Sequence, residues 1–239
     1  MFVYFDLDRT LLDFESAADV GIKTIYDLYK SELKMEYEEF SFNWKKWAQI
    51  FFDRYSEGIY TFDEQRKMRV KKSFELNGVL LSEEENNKRF NIYWSAYEKQ
   101  IRLFPDVIPV LESLKKHKVP MGIITNGDSQ NQNWKLNSKN LSSYFDPIII
   151  SGEVGVSKPD LKIFKTAVQR VMEKIPEASE NPSDFWYIGD SVNHDIEPSV
   201  KMGWNTVFIN RTEKKYDIPS CVIEVDDMRK ILPKILADS

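Results

Sequence analysis

Cysteine occurs once in 239 residues, at Cys221, so the chain can form neither an internal disulfide nor a multi-cysteine zinc site. Positive charge is also short: 33 Lys and Arg stand against 38 Asp and Glu, for a net charge of -5. Nucleic acids and anionic membrane surfaces need a basic footprint, so neither is expected as the main partner. No apolar run approaches the roughly 20 residues that cross a bilayer, and no internal repeat or low-complexity tract is visible. The residues before Asp6 include no basic one, so the amino terminus does not resemble a signal peptide and the expected location is cytoplasmic. What is present suits a globular protein with a sizeable core: 42% hydrophobic and 30% charged residues. Cys221 falls in Ser220-Cys221-Val222-Ile223, which reads as a late strand with an inert, buried thiol.

The chain begins with a short apolar run that fits a buried strand and ends in Asp6-Leu7-Asp8-Arg9-Thr10. Alternate residues of an extended segment face the same side, so Asp6 and Asp8 can point at one site. A cation between them would relieve their repulsion; a capped turn with a solvated Asp6 is the other reading. Helical patterning follows, with stripes over 17–33 and 40–55. Thr61-Phe62-Asp63-Glu64 reads as a capping box, and Ser82-Glu83-Glu84-Glu85 opens a fourth helix. The spacing predicts an all-helical insertion over 14–103 whose aromatics serve packing. Arg66 and Arg69 lie on its third helix, either on a solvated face or facing a substrate.

From residue 104 strands alternate with helices, and a surface loop is expected over 173–182. This pattern predicts an α/β core, 1–13 with 104–239, built on a mostly parallel, Rossmann-like sheet with helices on both faces. In such sheets ligands gather beyond the carboxyl ends of the strands, and reactive residue types stand there. One strand ends in Thr125-Asn126-Gly127, which suits phosphate oxygens or a simple turn. Ser157-Lys158-Pro159-Asp160 precedes an amphipathic helix. Proline at or near the first helical position is pre-organised for it, which would put Lys158 at that helix's positive end and call for an anion beside it. Another strand runs into Gly189-Asp190-Ser191, with Asp195 five residues beyond Asp190. Asp195 reads equally as a first-turn acid of a helix. His117 reads as an exposed helix end, and His194 as a helix start.

The four stretches in this order resemble the motifs of the haloacid dehalogenase-like hydrolase superfamily, and the resemblance covers the whole chain, with the helical insertion similar to the family's α-helical cap. Within the family, Asp8 sets the chain apart from the dehalogenating branch. Thr125-Asn126-Gly127 and the run from Ser151 to Pro159 resemble the branch that includes pyrimidine 5′-nucleotidases. Arg9 departs from the small or acidic residue usual at its position. The resemblance implies an Mg²⁺-dependent phosphatase acting on a small phosphorylated metabolite, with a nucleoside monophosphate as the leading substrate. Asp6 would attack phosphorus and Asp8 would carry the proton. Asp6, the backbone carbonyl of Asp8 and Asp190 would hold the metal, supported by Asp195. Thr125, the Asn126 backbone N–H and Lys158 would hold the phosphoryl oxygens. Sugar-phosphate mutase or phosphotransferase chemistry uses the same residues, and a non-catalytic binding protein on this fold is the third alternative. The cap, including the turn at Glu57-Gly58, carries no substrate motif.

Overall fold

A computed structural model describes residues 1–175, 179–212 and 214–237. It divides into two compact units, residues 1–13 with 103–239, and residues 14–102.

The first unit is a six-stranded, wholly parallel sheet. Its strands are β1 (Phe2–Phe5), β2 (Met121–Thr125), β3 (Ile148–Ile150), β4 (Phe185–Gly189), β5 (Asn205–Ile209) and β6 (Ile223–Val225), in the spatial order β3-β2-β1-β4-β5-β6. Strand β1 lies between β2 and β4, with Val3 opposite Met121 and Trp186. Every residue of β1, β2 and β4 is buried, as expected of strands covered on both faces. The order turns outward on either side of β1, and a crevice at the strand carboxyl ends belongs at such a switch point.

Side-chain alternation decides what each face does. On one face Phe2, Tyr4 and Tyr187 pack with Ile163, Phe164, Ala167 and Val171 of a helix spanning Leu161–Lys174. Trp204 stacks on Tyr4 and Phe185, at centroid distances of 5.6 and 5.2 Å. The Tyr4 hydroxyl donates to the Ala167 carbonyl at 2.7 Å, so burial leaves no polar atom of that ring unanswered. Asp6 continues the even-numbered series of β1, and its backbone N–H still donates to the Ile188 carbonyl at 2.9 Å. The Asp6 carboxylate is therefore carried at the end of a strand paired on both sides.

Asp160 caps the helix of 161–174 by accepting from the Lys162 N–H, which leaves Pro159 and Lys158 near the helix start. Two expectations change here. Cys221 is exposed in a turn, because β6 begins only at Ile223; the thiol is not part of the core. Of the loop expected over 173–182, residues 176–178 lie outside the described residues, while the helix continues to Lys174 and Pro182–Asp184 form a 3₁₀ turn.

The second unit contains four helices, α1 (Phe14–Tyr29), α2 (Tyr37–Ser56), α3 (Phe62–Glu75) and α4 (Glu83–Gln100). The capping box of α3 is complete: Thr61 Oγ accepts from the Glu64 N–H and the Glu64 carboxylate accepts from the Thr61 N–H. Ser82 caps α4 by accepting from the Glu85 N–H. Gly21 lets α1 approach α4, since a Cβ there would stand 2.7 Å from the Tyr93 ring. Phe40, Trp44, Phe74 and Tyr93 form the buried centre. Arg89 is threaded into it, 3.8 Å from the Tyr29 ring centroid and 4.3 Å from that of Phe74, with an ion pair to Glu32 at 2.9 Å. A guanidinium tolerates this setting because it stacks on rings while remaining paired. Arg66 belongs to the same packing, lying over Phe62, Phe90 and Trp94, and the Arg69 guanidinium donates to Gln65 at 2.7 Å. The solvated-face reading of these two arginines does not hold, because aromatic neighbours on α4 cover the α3 face that carries Arg66.

Candidate active site

Asp6 lies one residue past β1, 6% exposed, and its carboxylate accepts from Lys158 Nζ at 2.7 Å. The same ammonium donates to Asp195 Oδ1 at 2.6 Å and to the Tyr187 hydroxyl at 2.9 Å. Three N–H groups thus meet three acceptors, which exhausts the donor capacity of a lysine. Burial lowers the proton affinity of Lys158, but the carboxylates of Asp195 and Asp6 outweigh it, and the net shift is upward. Asp6 is also raised from its ordinary 3.8. Burial, with Asp195 and Asp8 adding to it against Lys158, pushes it up to about 7. Asp190 is also raised, first by burial and then by Asp6 and Asp195, although Arg9 and Lys158 oppose this.

The local sequence explains how these groups meet. Gly189 ends β4, and a Cβ there would lie 2.5 Å from the Asp195 side chain, so only glycine leaves room for that carboxylate. Asp195 sits in a π-helical turn, Val192–Ile196. Its Oδ2 accepts from the Ser191 N–H at 3.0 Å. His194 is tied to Ser191 through its backbone N–H and ring nitrogen, and His117 is exposed at the end of the helix Val107–Lys116. Asp6, Asp190 and Asp195 each present an oxygen, and these oxygens lie within 4.8 Å of one another. Such a hard-oxygen donor set suits Mg²⁺. The upward shifts of Asp6 and Asp190 point the same way, because one lysine does not balance two buried carboxylates and a half-buried third.

Asp8 does not join this group; it turns toward the helix Ser129–Ser138. Lys135 Nζ donates to both of its oxygens, at 2.8 and 2.6 Å, and Gln132 Nε2 approaches one of them at 3.3 Å. Gln132 also donates to the Thr125 hydroxyl at 2.8 Å. That bond occupies a lone pair of Thr125 and leaves its proton with only a 3.5 Å contact to the Asn126 carbonyl, so the hydroxyl is oriented to donate elsewhere. The Asn126 side chain has a different task from its backbone: it donates to the Lys158 carbonyl at 2.9 Å and accepts from the Lys158 N–H at 2.8 Å. This two-point clamp fastens the loop carrying Lys158 to the end of β2. Arg211 fastens another loop, donating to the Thr10 carbonyl at 2.9 Å and to Asp106 at 3.0 Å. Thr10 in turn is 3.4 Å from Asp190. Arg9, the residue that departs from the usual pattern, is exposed and has φ of 65°.

Sequence reasoning missed Tyr187, Gln132, Lys135 and the Asn126 amide. Tyr187 read as one more apolar strand residue, yet its hydroxyl is fully buried and bonded to Lys158, Asp195 and the Ile124 carbonyl. Replacing Tyr187 with Phe should lower stability by about 1.5–3 kcal/mol, the range for buried hydrogen bonds to charged groups. Urea unfolding checks this, and an unchanged midpoint contradicts it.

The model of the family described as haloacid dehalogenase-like hydrolase matches residues 3–209. A glyceraldehyde 3-phosphate phosphatase of Methanopyrus kandleri is 32% identical over 138 residues, 58% of this chain and 56% of that protein. The match therefore spans only about half the length of that relative. The pyrimidine 5′-nucleotidase YjjG of Escherichia coli is 27% identical over 210 residues, 87% of this chain and 85% of the nucleotidase. Among solved structures, the HAD-hydrolase YfnB of Bacillus subtilis, bound to magnesium, shares the fold with a TM-score of 0.75 over 98% of this chain and 97% of that one, at 23% identity. Among the described residues, no helix is long and apolar enough to cross a membrane.

Proposed function

The chain belongs to the haloacid dehalogenase-like hydrolase family, and from that premise we propose that it is an Mg²⁺-dependent phosphatase that hydrolyses a small phosphomonoester, with a nucleoside 5′-monophosphate as its leading substrate. The observation that carries the proposal is the buried Asp6 carboxylate bonded to Lys158 beside Asp190 and Asp195. The similarity to a pyrimidine 5′-nucleotidase over most of both chains supports the choice of substrate.

Asp6 attacks phosphorus, the bond from phosphorus to the ester oxygen breaks, and Asp8 delivers a proton to that departing oxygen. Water then attacks the phosphoryl group on Asp6 and loses a proton to Asp8, and the Asp6 oxygen leaves as a carboxylate. Thr125 donates its oriented hydroxyl to a phosphoryl oxygen, the Asn126 N–H holds another, and Lys158 turns one of its three N–H groups from its present acceptors to the third. Asp6, the Asp8 carbonyl and Asp190 would hold Mg²⁺, backed by Asp195, and when bound it would supply positive charge against the phosphoryl oxygens. Such neutralisation is needed because an anionic nucleophile must approach an anionic group. At about 4 Å and an effective dielectric near 20, each unit-charge pair is worth roughly 4 kcal/mol.

Inorganic phosphate release across a panel of phosphorylated metabolites, with and without Mg²⁺, tests the proposal. Nucleoside monophosphates should lead the panel, and EDTA should abolish release. Isomerised product without phosphate would overturn the hydrolase reading.

A further inference from the structure

We propose that Lys135 is the positioning residue for the Asp8 carboxylate, acting together with Gln132 from one face of the helix Ser129–Ser138. This rests on the reading of Asp8 as the group that moves the proton. That helix buries only Gln132, Lys135 and Leu136, positions three and four residues apart that share a face. Two of the three are polar, and both reach Asp8. A lysine is rarely buried unless paired. Here it is 3% exposed, while the carboxylate it grips is 28% exposed. The ammonium spans both Asp8 oxygens and the amide of Gln132 fixes one of them, so the bonds select one orientation of a half-buried side chain. Gln132 also holds the Thr125 hydroxyl at 2.8 Å. One helix face therefore sets the proton carrier and the phosphate-binding hydroxyl in a common frame, and small errors in such placement are costly to rate.

A cation that merely neutralised charge would affect every substrate alike. A residue that aims the proton carrier matters most where the leaving oxygen needs a proton. The test compares kcat/KM, which reports phosphoryl transfer to the enzyme, for an alkyl phosphate such as glycerol phosphate and for p-nitrophenyl phosphate, whose phenolate leaves without protonation. Lys135→Met should lower the alkyl value by about 10²-fold, the low end of general-acid contributions, and the aryl value by less than about tenfold. Lys135→Arg should restore most of the alkyl rate, because a guanidinium can also span a carboxylate. In an Asp8→Asn background, Lys135→Met should add little further loss, as expected for residues acting as a unit. Equal losses on the two esters, or additive losses in the double variant, overturn the proposal for Lys135. Because Lys135 is buried, circular dichroism and thermal melting accompany each variant, and Lys135→Arg keeps the test decisive if Lys135→Met unfolds: equal alkyl and aryl losses in Lys135→Arg also overturn it. A nucleoside 5′-monophosphate, itself an alkyl ester, replaces glycerol phosphate where it is the better substrate, and if the parent protein releases phosphate with Mg²⁺ from neither these esters nor any panel member, it is the phosphatase reading that fails.

Discussion

Replacing Asp6 with asparagine should abolish turnover while leaving the protein folded and, above pH 7, more stable than its parent. The loss should exceed about 10⁴-fold, since removing a nucleophile removes the reaction path rather than one contact along it. The stability gain follows from the direction of the Asp6 shift. In the folded protein Asp6 holds its proton up to about 7, against an ordinary value of 3.8. Between those values the folded state binds the extra proton, so stability from this group falls as pH rises through the window. Above pH 7 the parent carries the whole penalty of ionising a buried carboxylate beside Asp190 and Asp195. Asparagine cannot ionise, and its amide oxygen can still accept from Lys158. The gain should therefore be full above pH 7 and vanish below about pH 4, the ordinary range of an aspartate. Chemical unfolding of the metal-free proteins at pH 5 and pH 8 measures it. A variant less stable than the parent at pH 8 would contradict this balance of charge.

Replacing Lys158 with methionine should have the opposite effect on stability and a similar effect on turnover. The substitution keeps a chain of comparable length but removes the ammonium bonded to both Asp6 and Asp195. Breaking a buried ion pair from one side costs about 3–5 kcal/mol, because the remaining charge is left uncompensated. The Lys158 shift is upward, so its contribution is fully present below the ordinary lysine value of 10.5 and is lost only as pH rises beyond that. Across the neutral range the lysine is charged, and what varies is its partners. As pH falls toward 5, Asp6 takes up its proton and the missing cation matters less. The destabilisation should thus be largest near pH 8 and shrink toward pH 5. Added Mg²⁺ should recover part of it at pH 8, because any cation that binds the folded state stabilises it by mass action. Unfolding midpoints at both pH values, with and without Mg²⁺, check the claim. A loss independent of pH would indicate that Lys158 is held by packing rather than by its carboxylates.

The opposite behaviour of these two variants reflects a site with excess negative charge. Asp6→Asn removes a carboxylate and relieves the repulsion; Lys158→Met removes the cation and worsens it. Natural proteins often retain such destabilising groups at functional sites, where activity outweighs stability.

Much of this arrangement was legible in the sequence because open parallel sheets put reactive groups at predictable places. Asp6, Thr125, Asp190 and Lys158 each stand just beyond an apolar run or before an amphipathic helix, and turn residues mark the spot. The helical insertion was legible from its caps: Thr61 with Glu64 and Ser82 with Glu85 use local hydrogen bonds that need no tertiary context. What remained hidden depended on such context. The helix from Ser129 to Ser138 is polar almost throughout, so its sequence does not reveal which polar residues are buried. A signal existed in Leu136, the one buried apolar residue, since Gln132 lies four positions before it and Lys135 adjoins it. Tyr187 was hidden for the converse reason, since an aromatic residue in an apolar strand reads as core even when its hydroxyl is the important atom. Arg66 misled because a charged residue on a helix reads as solvated, whereas guanidinium groups pack against rings. Cys221 misled because β6 is short and begins only at Ile223, two residues beyond the cysteine.

Whether Asp6 carries the phosphoryl group is decided by acid quenching of the protein during turnover with Mg²⁺, followed by proteolysis and mass analysis. A phosphoryl group is expected on the peptide containing Asp6, absent from Asp6→Asn and discharged when substrate is exhausted. Sustained phosphate release with no phosphorylated peptide at any quench time, or phosphate found on Asp8 instead, would contradict it.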